Sequence, residues 1–124
     1  RAAFEDLLRI RASSTLFRLR SAADVDSRLR FLNTGPAQLP TLIAGQLDGR
    51  LYPGAVFQEV LYLVNVGLEE AELRAPRERG KPWVLHPVHR APGAADRRAA
   101  DEARFDPAGR FVVPPRTAVV FVIE

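Results

Sequence analysis

The sequence predicts an all-β fold: an antiparallel β-sandwich of about eight short strands preceded by one N-terminal amphipathic helix. Beyond Arg28 the apolar residues either alternate with polar ones or gather in short runs rich in Val, Leu, Ile and Phe, as pleated, half-buried chain requires. Clusters of Gly, Pro, Asn and Asp punctuate those runs. Helical spacing marks the opening segment, and the period changes from Arg28. At 124 residues the chain is sized for one sandwich core. A (β/α)8 barrel takes roughly 250 residues and does not fit.

In "AAFEDLLRIRAS", Phe4, Leu7, Leu8 and Arg11 recur at helical spacing with Ile10 beside them, and Ala, Leu, Glu and Arg all favour helix. Ser13–Ser14 suit its exit. The first strand is "SRLRFLN", where Leu29 and Phe31 alternate with Arg28 and Arg30; Phe31 is therefore expected inside and Arg30 outside. Asn33–Thr34–Gly35–Pro36 ends it. "TLIAGQL" (Thr41–Leu47) is the second strand, closed by Asp48–Gly49, and Arg50–Ala55, with Pro53–Gly54, reads as a loop. "VFQEVLYLVNV" (Val56–Val66) is apolar without a break from Val60 to Val64, which fits a central strand covered on both faces or a buried helix. Its β-branched and aromatic content favours the strand. "EEAELRA" suits a short strand and a helix almost equally. "WVLHPV" reads as an edge strand, because Pro87 cannot donate to a ladder. Arg90–Glu102, rich in Ala, Arg and Asp, reads as a loop or a poorly ordered excursion. "ARFDPAGRFVVP" is a hairpin with Pro107 set for a type I turn and Gly109 where a positive φ is wanted. "TAVVFVI" is a further buried strand.

Composition excludes several classes. An apolar fraction of 47% is ordinary for a folded domain. No apolar run approaches the roughly 18 residues of a membrane span, and no signal peptide is visible. The chain opens at Arg1–Ala2–Ala3 without a methionine, as a processed fragment would. Cysteine is absent, so no disulfide framework exists and the redox compartment stays open. Lys plus Arg number 18 against 15 acids, and all but Lys81 are arginine. They are scattered among the acids rather than clustered, so nucleic acid is not an expected partner.

The residues that usually carry chemistry do not assemble into a site. His86 and His89 flank Pro87, which argues against a helix; in extended chain they point to opposite faces, and no third ligand lies near. Structural histidines are the better account, and no metal is expected. Asp24 and Asp26 share a face if extended, but two carboxylates are too few for calcium. Glu69–Glu70 and Asp101–Glu102 read as exposed turns without the cleft that a general acid needs. Ser13, Ser14 and Ser21 lack a G-x-S-x-G context. "GPAQLP" and "DGRLYPG" are turns rather than phosphate-binding loops, so no cofactor is expected. Trp83 and Tyr52 have faces on which a sugar ring can stack, with core packing the competing role for Trp83.

Taken in order, "LLRIRASSTLFRL", "RLRFLNTGPAQLPTLIAGQLDG", "VLYLVNV", "WVLHPV" and "RFVVPPRTAVVFV" resemble the C-terminal region of pullulanase-type glycoside hydrolases of the α-amylase superfamily. "IRASSTLFRL" and "RFLNTGPAQLP" carry most of the specificity. Thr15 stands where such enzymes often have proline, and Thr41 where glycine often follows "QLP". The resemblance implies that residues 1–20 are the end of a catalytic barrel and its passage into the next domain, and residues 21–124 a C-terminal β-sandwich. It further implies a parent enzyme that hydrolyses α-1,6-glucosidic links in pullulan or branched α-glucans, with a secreted or cell-surface location expected. No position matches the family's catalytic carboxylates, so no catalytic residue carries over. The implied role is non-catalytic: stabilisation of the barrel of the same polypeptide, with Phe4, Leu7 and Leu8 facing it. The alternative is a carbohydrate-binding module that holds α-glucan.

Overall fold

Alternation along one strand sets the architecture. In β3 (Glu59–Asn65), Leu61 and Leu63 join one apolar cluster while Val60 and Tyr62 join another on the opposite face. A strand apolar on both sides must be covered on both sides. In this computed structural model, which describes residues 2–34, 38–94 and 97–124, β3 lies at the centre of a five-stranded antiparallel sheet of order β1-β2-β3-β8-β5. The other strands of this sheet are β1 (Leu29–Leu32), β2 (Leu42–Asp48), β8 (Thr117–Ile123) and the two-residue edge strand β5 (Val84–Leu85), with β3 paired to β2 and β8. A three-stranded sheet, β4-β7-β6, faces it, made by β4 (Ala71–Arg74), β6 (Arg104–Asp106) and β7 (Arg110–Val113). The predicted sandwich is present.

The inner core fills the space between the sheets. Leu42 and Ala44 of β2, Leu61 and Leu63 of β3, and Val119, Phe121 and Ile123 of β8 meet Leu73, Phe111 and Val113. Phe111 is the hub: its ring sits 5.2 Å from Phe121, 4.7 Å from Phe105 and 5.9 Å from Trp83, the Trp and Phe121 contacts edge-on as aromatic quadrupoles prefer. The β6–β7 hairpin forms at Asp106–Pro107–Ala108–Gly109 as predicted; Gly109 has φ 101° and its N–H donates to the Asp106 carbonyl.

The outer face of the large sheet carries the second cluster. Leu47, Val60, Val120 and Val122 are covered by Ile10 of α1 (Ala2–Ala12), by Leu16 in the 3-10 turn Thr15–Arg18, and by Ala55 and Phe57.

Several expectations are corrected. Register Leu29↔Leu47 and Phe31↔Gly45 puts Phe31 on the outer face, where it is 55% exposed; Arg30 turns inward to Gln46 and is half-buried. The error lay in assuming that the apolar residues of an edge strand mark the inner face. Ala22–Arg28 is a helix, α2, because the Ser21 hydroxyl accepts from the Asp24 N–H as an N-cap. Asp24 and Asp26 are therefore not in extended chain. Pro87 does not prevent a helix; it occupies the first helical position of α3 (Pro87–Arg90), where its missing N–H costs nothing. Arg97–Glu102 is a helix, α4, that buries Ala99, so the loop reading fails there; Ala95 and Asp96 lie outside the described residues, as do Gly35 and Pro36 of the first turn.

Candidate docking face

The opening helix docks on its own sandwich by a different edge from the one its apolar pattern suggests. Asp6 and Ile10, four apart and thus on one face, are buried; Asp6 accepts from Arg9 at 2.7 Å. Phe4 is 62% exposed and Leu8 also lies in solvent, with Leu7 at the border. α1 therefore holds the sheet with one side and offers an apolar stripe with the other. Next to it runs a groove of about 310 Å³ lined by Leu7, Ile10, Phe17, Tyr62, Val64 and Ala118. Farther across the same outer face, Phe31 and Ile43 are exposed. Tyr62 lies flat over Gly45, where a Cβ would sit 2.3 Å from its ring. Helix stripe and outer sheet face together form an apolar surface that no described residue covers, the usual mark of an interaction site.

Ser13 and the α3 turn fasten this face. The Ser13 hydroxyl donates to the Ile10 carbonyl at 2.5 Å, so it accepts from His86 Nε2 at 2.8 Å. His86 Nδ1 in turn accepts from the Val88 N–H at 3.0 Å, capping α3. With both ring nitrogens committed and the ring buried, His86 is pushed down to about 4, first by burial and then by His89 and Arg90. His89 Nε2 accepts from the Val120 N–H at 3.1 Å. Both imidazoles thus point inward, contrary to the extended-chain expectation, and both are structural. Among the described residues no group of His, Cys, Asp and Glu has the arrangement to hold a metal.

The residues expected to stack on sugar lie elsewhere. Trp83 is 5% exposed, its indole N–H donating to Glu78 Oε1 at 3.2 Å, so its faces are used by the core. Tyr52 is half-buried with the Arg28 guanidinium 4.7 Å over its ring and its hydroxyl 3.3 Å from Asp24. The structure does not bring the two together.

Sequence reading missed a buried polar cluster. Glu78, in the 3-10 turn Pro76–Glu78, accepts from Gln46 and Trp83 and pairs with Lys81 at 3.0 Å and Arg30 at 3.6 Å. Lys81 also reaches Glu59 at 3.3 Å. Burial draws the Lys81 ammonium down, yet the two carboxylates more than offset it and hold it above the usual lysine value. These groups line a cleft of about 500 Å³ and are paired with one another. Nothing in "PRERGKPW" announced it except proline ahead of an acid.

The whole chain, residues 1–124, matches the family model described as "Alpha-1,6-glucosidases, pullulanase-type, C-terminal". It is 36% identical over 126 residues to Pullulanase 1, chloroplastic, of Arabidopsis thaliana, a match covering 96% of this chain and 13% of that one. Among solved structures it is similar to apo pullulanase from Klebsiella pneumoniae, with TM-score 0.82 and 25% identity over 98% of this chain and 13% of that chain. The pullulanase of Paenibacillus barengoltzii, solved as a mutant complexed with maltotriose, shares the fold at TM-score 0.70 and 19% identity, over 94% of this chain and 16% of that one. The chain thus spans about an eighth of the length of the curated relative it matches.

Proposed function

The chain belongs to the family of C-terminal domains of pullulanase-type α-1,6-glucosidases, and from that premise we propose that it is a non-catalytic accessory domain that packs on the catalytic barrel of its own polypeptide and stabilises it. The parent enzyme would hydrolyse α-1,6-glucosidic links in pullulan or branched α-glucans. Residues 1–20 are then the end of the barrel and residues 21–124 the sandwich, with α1 serving as a bracket held by both. The observation that supports this best is the uncovered apolar stripe of Phe4, Leu7 and Leu8, continuous with an outer sheet face that exposes Phe31 and Ile43. Burying such side chains is worth roughly 1.5–3 kcal/mol each, before the entropy of ordering.

Substitution of Phe4 and Leu8 by Ser tests the reading. In the longer polypeptide the change should lower the melting point of the barrel–sandwich unit; in the 124-residue chain, where both are exposed, it should change little. Equal effects in the two would refute it. A glucan-holding module has less support, since Trp83 is buried and Tyr52 carries Arg28 on its ring. Maltooligosaccharide titration of the chain checks that alternative: the accessory reading expects no saturable binding.

A further inference from the structure

The loop between β2 and β3 places apolar side chains where the backbone resists them. Leu51 has φ 63° and Val56 φ 68°, in the left-handed region that side chains with a Cβ avoid and β-branched ones avoid most. The other non-glycine residues of positive φ among those described are polar or charged. Asn33 is the type that tolerates this region, and its amide bonds the Leu39 and Leu42 carbonyls; the Arg116 N–H donates to Gly67. Leu51 and Val56 gain no burial in return, at 99% and 73% exposed. Yet the loop is held firmly. Tyr52 and Ala55 N–H groups close turns onto Gly49 and Tyr52, and the Thr15 N–H donates to Gly54. Thr15 Oγ1 donates to the Pro53 carbonyl at 2.7 Å and Ser14 Oγ to that of Ala55. Strain that surrounding bonds maintain marks a segment with a task.

Beside the loop, Arg18 and Arg20 join Tyr52 and Pro53 around a hollow of about 460 Å³. Both guanidiniums are exposed, and neither pairs with an acid among the described residues. The result is a rigid projection with an apolar tip and two uncommitted cations at its side.

We propose that this loop is a second docking point for the domain preceding the sandwich in the longer polypeptide, seating Leu51 and Val56 in an apolar socket whose rim carries carboxylates for Arg18 and Arg20. The proposal rests on the accessory-domain reading and gives it a chemistry of recognition. The occupant is that domain for two reasons. The loop is bonded to Ser14 and Thr15, the residues through which α1 passes into the sandwich. The relatives also carry most of their length outside the part matched here.

Leu51→Gly removes the tip and releases the strained φ in one change, so its effect should reverse sign with context. In the 124-residue chain the melting point should rise by a few degrees. In the longer polypeptide it should fall, with several-fold faster protease cleavage in the loop. A rise in both settings overturns the proposal. Arg18→Glu with Arg20→Glu should weaken the longer polypeptide alone, and more at low salt than at high. Phe4→Ser separates the two readings. If it destabilises the longer polypeptide while Leu51→Gly does not, the docking loop is wrong and the accessory role stands; if neither does, both fall. Concentration-dependent association of the 124-residue chain that Leu51→Gly abolishes would give the loop to a second copy and also overturn the proposal.

Discussion

Glu78 is a carboxylate with almost no water around it, held by two cations and two neutral donors. Removing it strands the Trp83 N–H and leaves Lys81 short of a partner, so Glu78→Ala should cost about 3 kcal/mol in urea melts. Arg30→Ala should cost more than Phe31→Ala in this chain, because Arg30 reaches Gln46 and Glu78 while Phe31 stands in solvent. That reverses what alternation alone suggests. A pattern of apolar and charged residues does not say which side of an edge strand is inside when its arginine has a buried acid to reach and its phenylalanine lies exposed on the outer face. His86 makes acid stability testable. Its folded value of about 4 lies below its ordinary 6.5, so the unfolded chain takes the proton more readily. The His86 contribution is therefore complete above pH 6.5, is lost as pH falls toward 4, and is constant below that. His86→Gln should flatten the stability difference between pH 7 and pH 5 in denaturant titrations; an unchanged slope would mean other groups govern it.

At the scale of elements, the strands were legible and the short helices were not. Runs such as "VLYLV" and "TAVVFVI" must be covered on both faces, a demand that only a central strand in a sandwich meets here. α2, α3 and α4 escaped because each is only a few residues long, too short to show a period; their signals were the cap Ser21, the first-position Pro87 and the buried Ala99. The candidate face was half legible. The stripe was visible in the opening helix, but its separation from the docking edge at Asp6 and Ile10 required coordinates. α1 should be the least protected element in hydrogen exchange, and residues 60–64 the most. Deleting the first twelve residues should leave cooperative unfolding at a lower midpoint, because the inner core takes nothing from α1. Loss of cooperativity would place α1 in the core. Gly49→Ala should cost roughly 1–3 kcal/mol, because a Cβ there meets the Phe57 carbonyl oxygen at 2.2 Å and backbone must move.

For the whole molecule, two cores share one sheet. The inner core makes the sandwich; the outer cluster ties in α1 and leaves part of its surface open. On the accessory-domain reading, purified chain should release no reducing ends from pullulan; turnover by contaminant-free material would contradict this. The position of β8 has a consequence for how the protein is made. It lies between β3 and β5 and contributes Val119, Phe121 and Ile123 to one core and Val120 and Val122 to the other. Translation delivers this strand after each strand it pairs with. Until Ile123 has cleared the ribosome, β3 waits with a bare edge and both cores lack their middle, so the sandwich closes late and all at once. On the accessory-domain reading, the domain encoded upstream has that whole interval to fold first, and the open face of α1 then has a finished surface to meet. A nascent chain stalled before Thr117 should accordingly be digested by protease along its full sandwich, and one stalled well past Glu124 should resist.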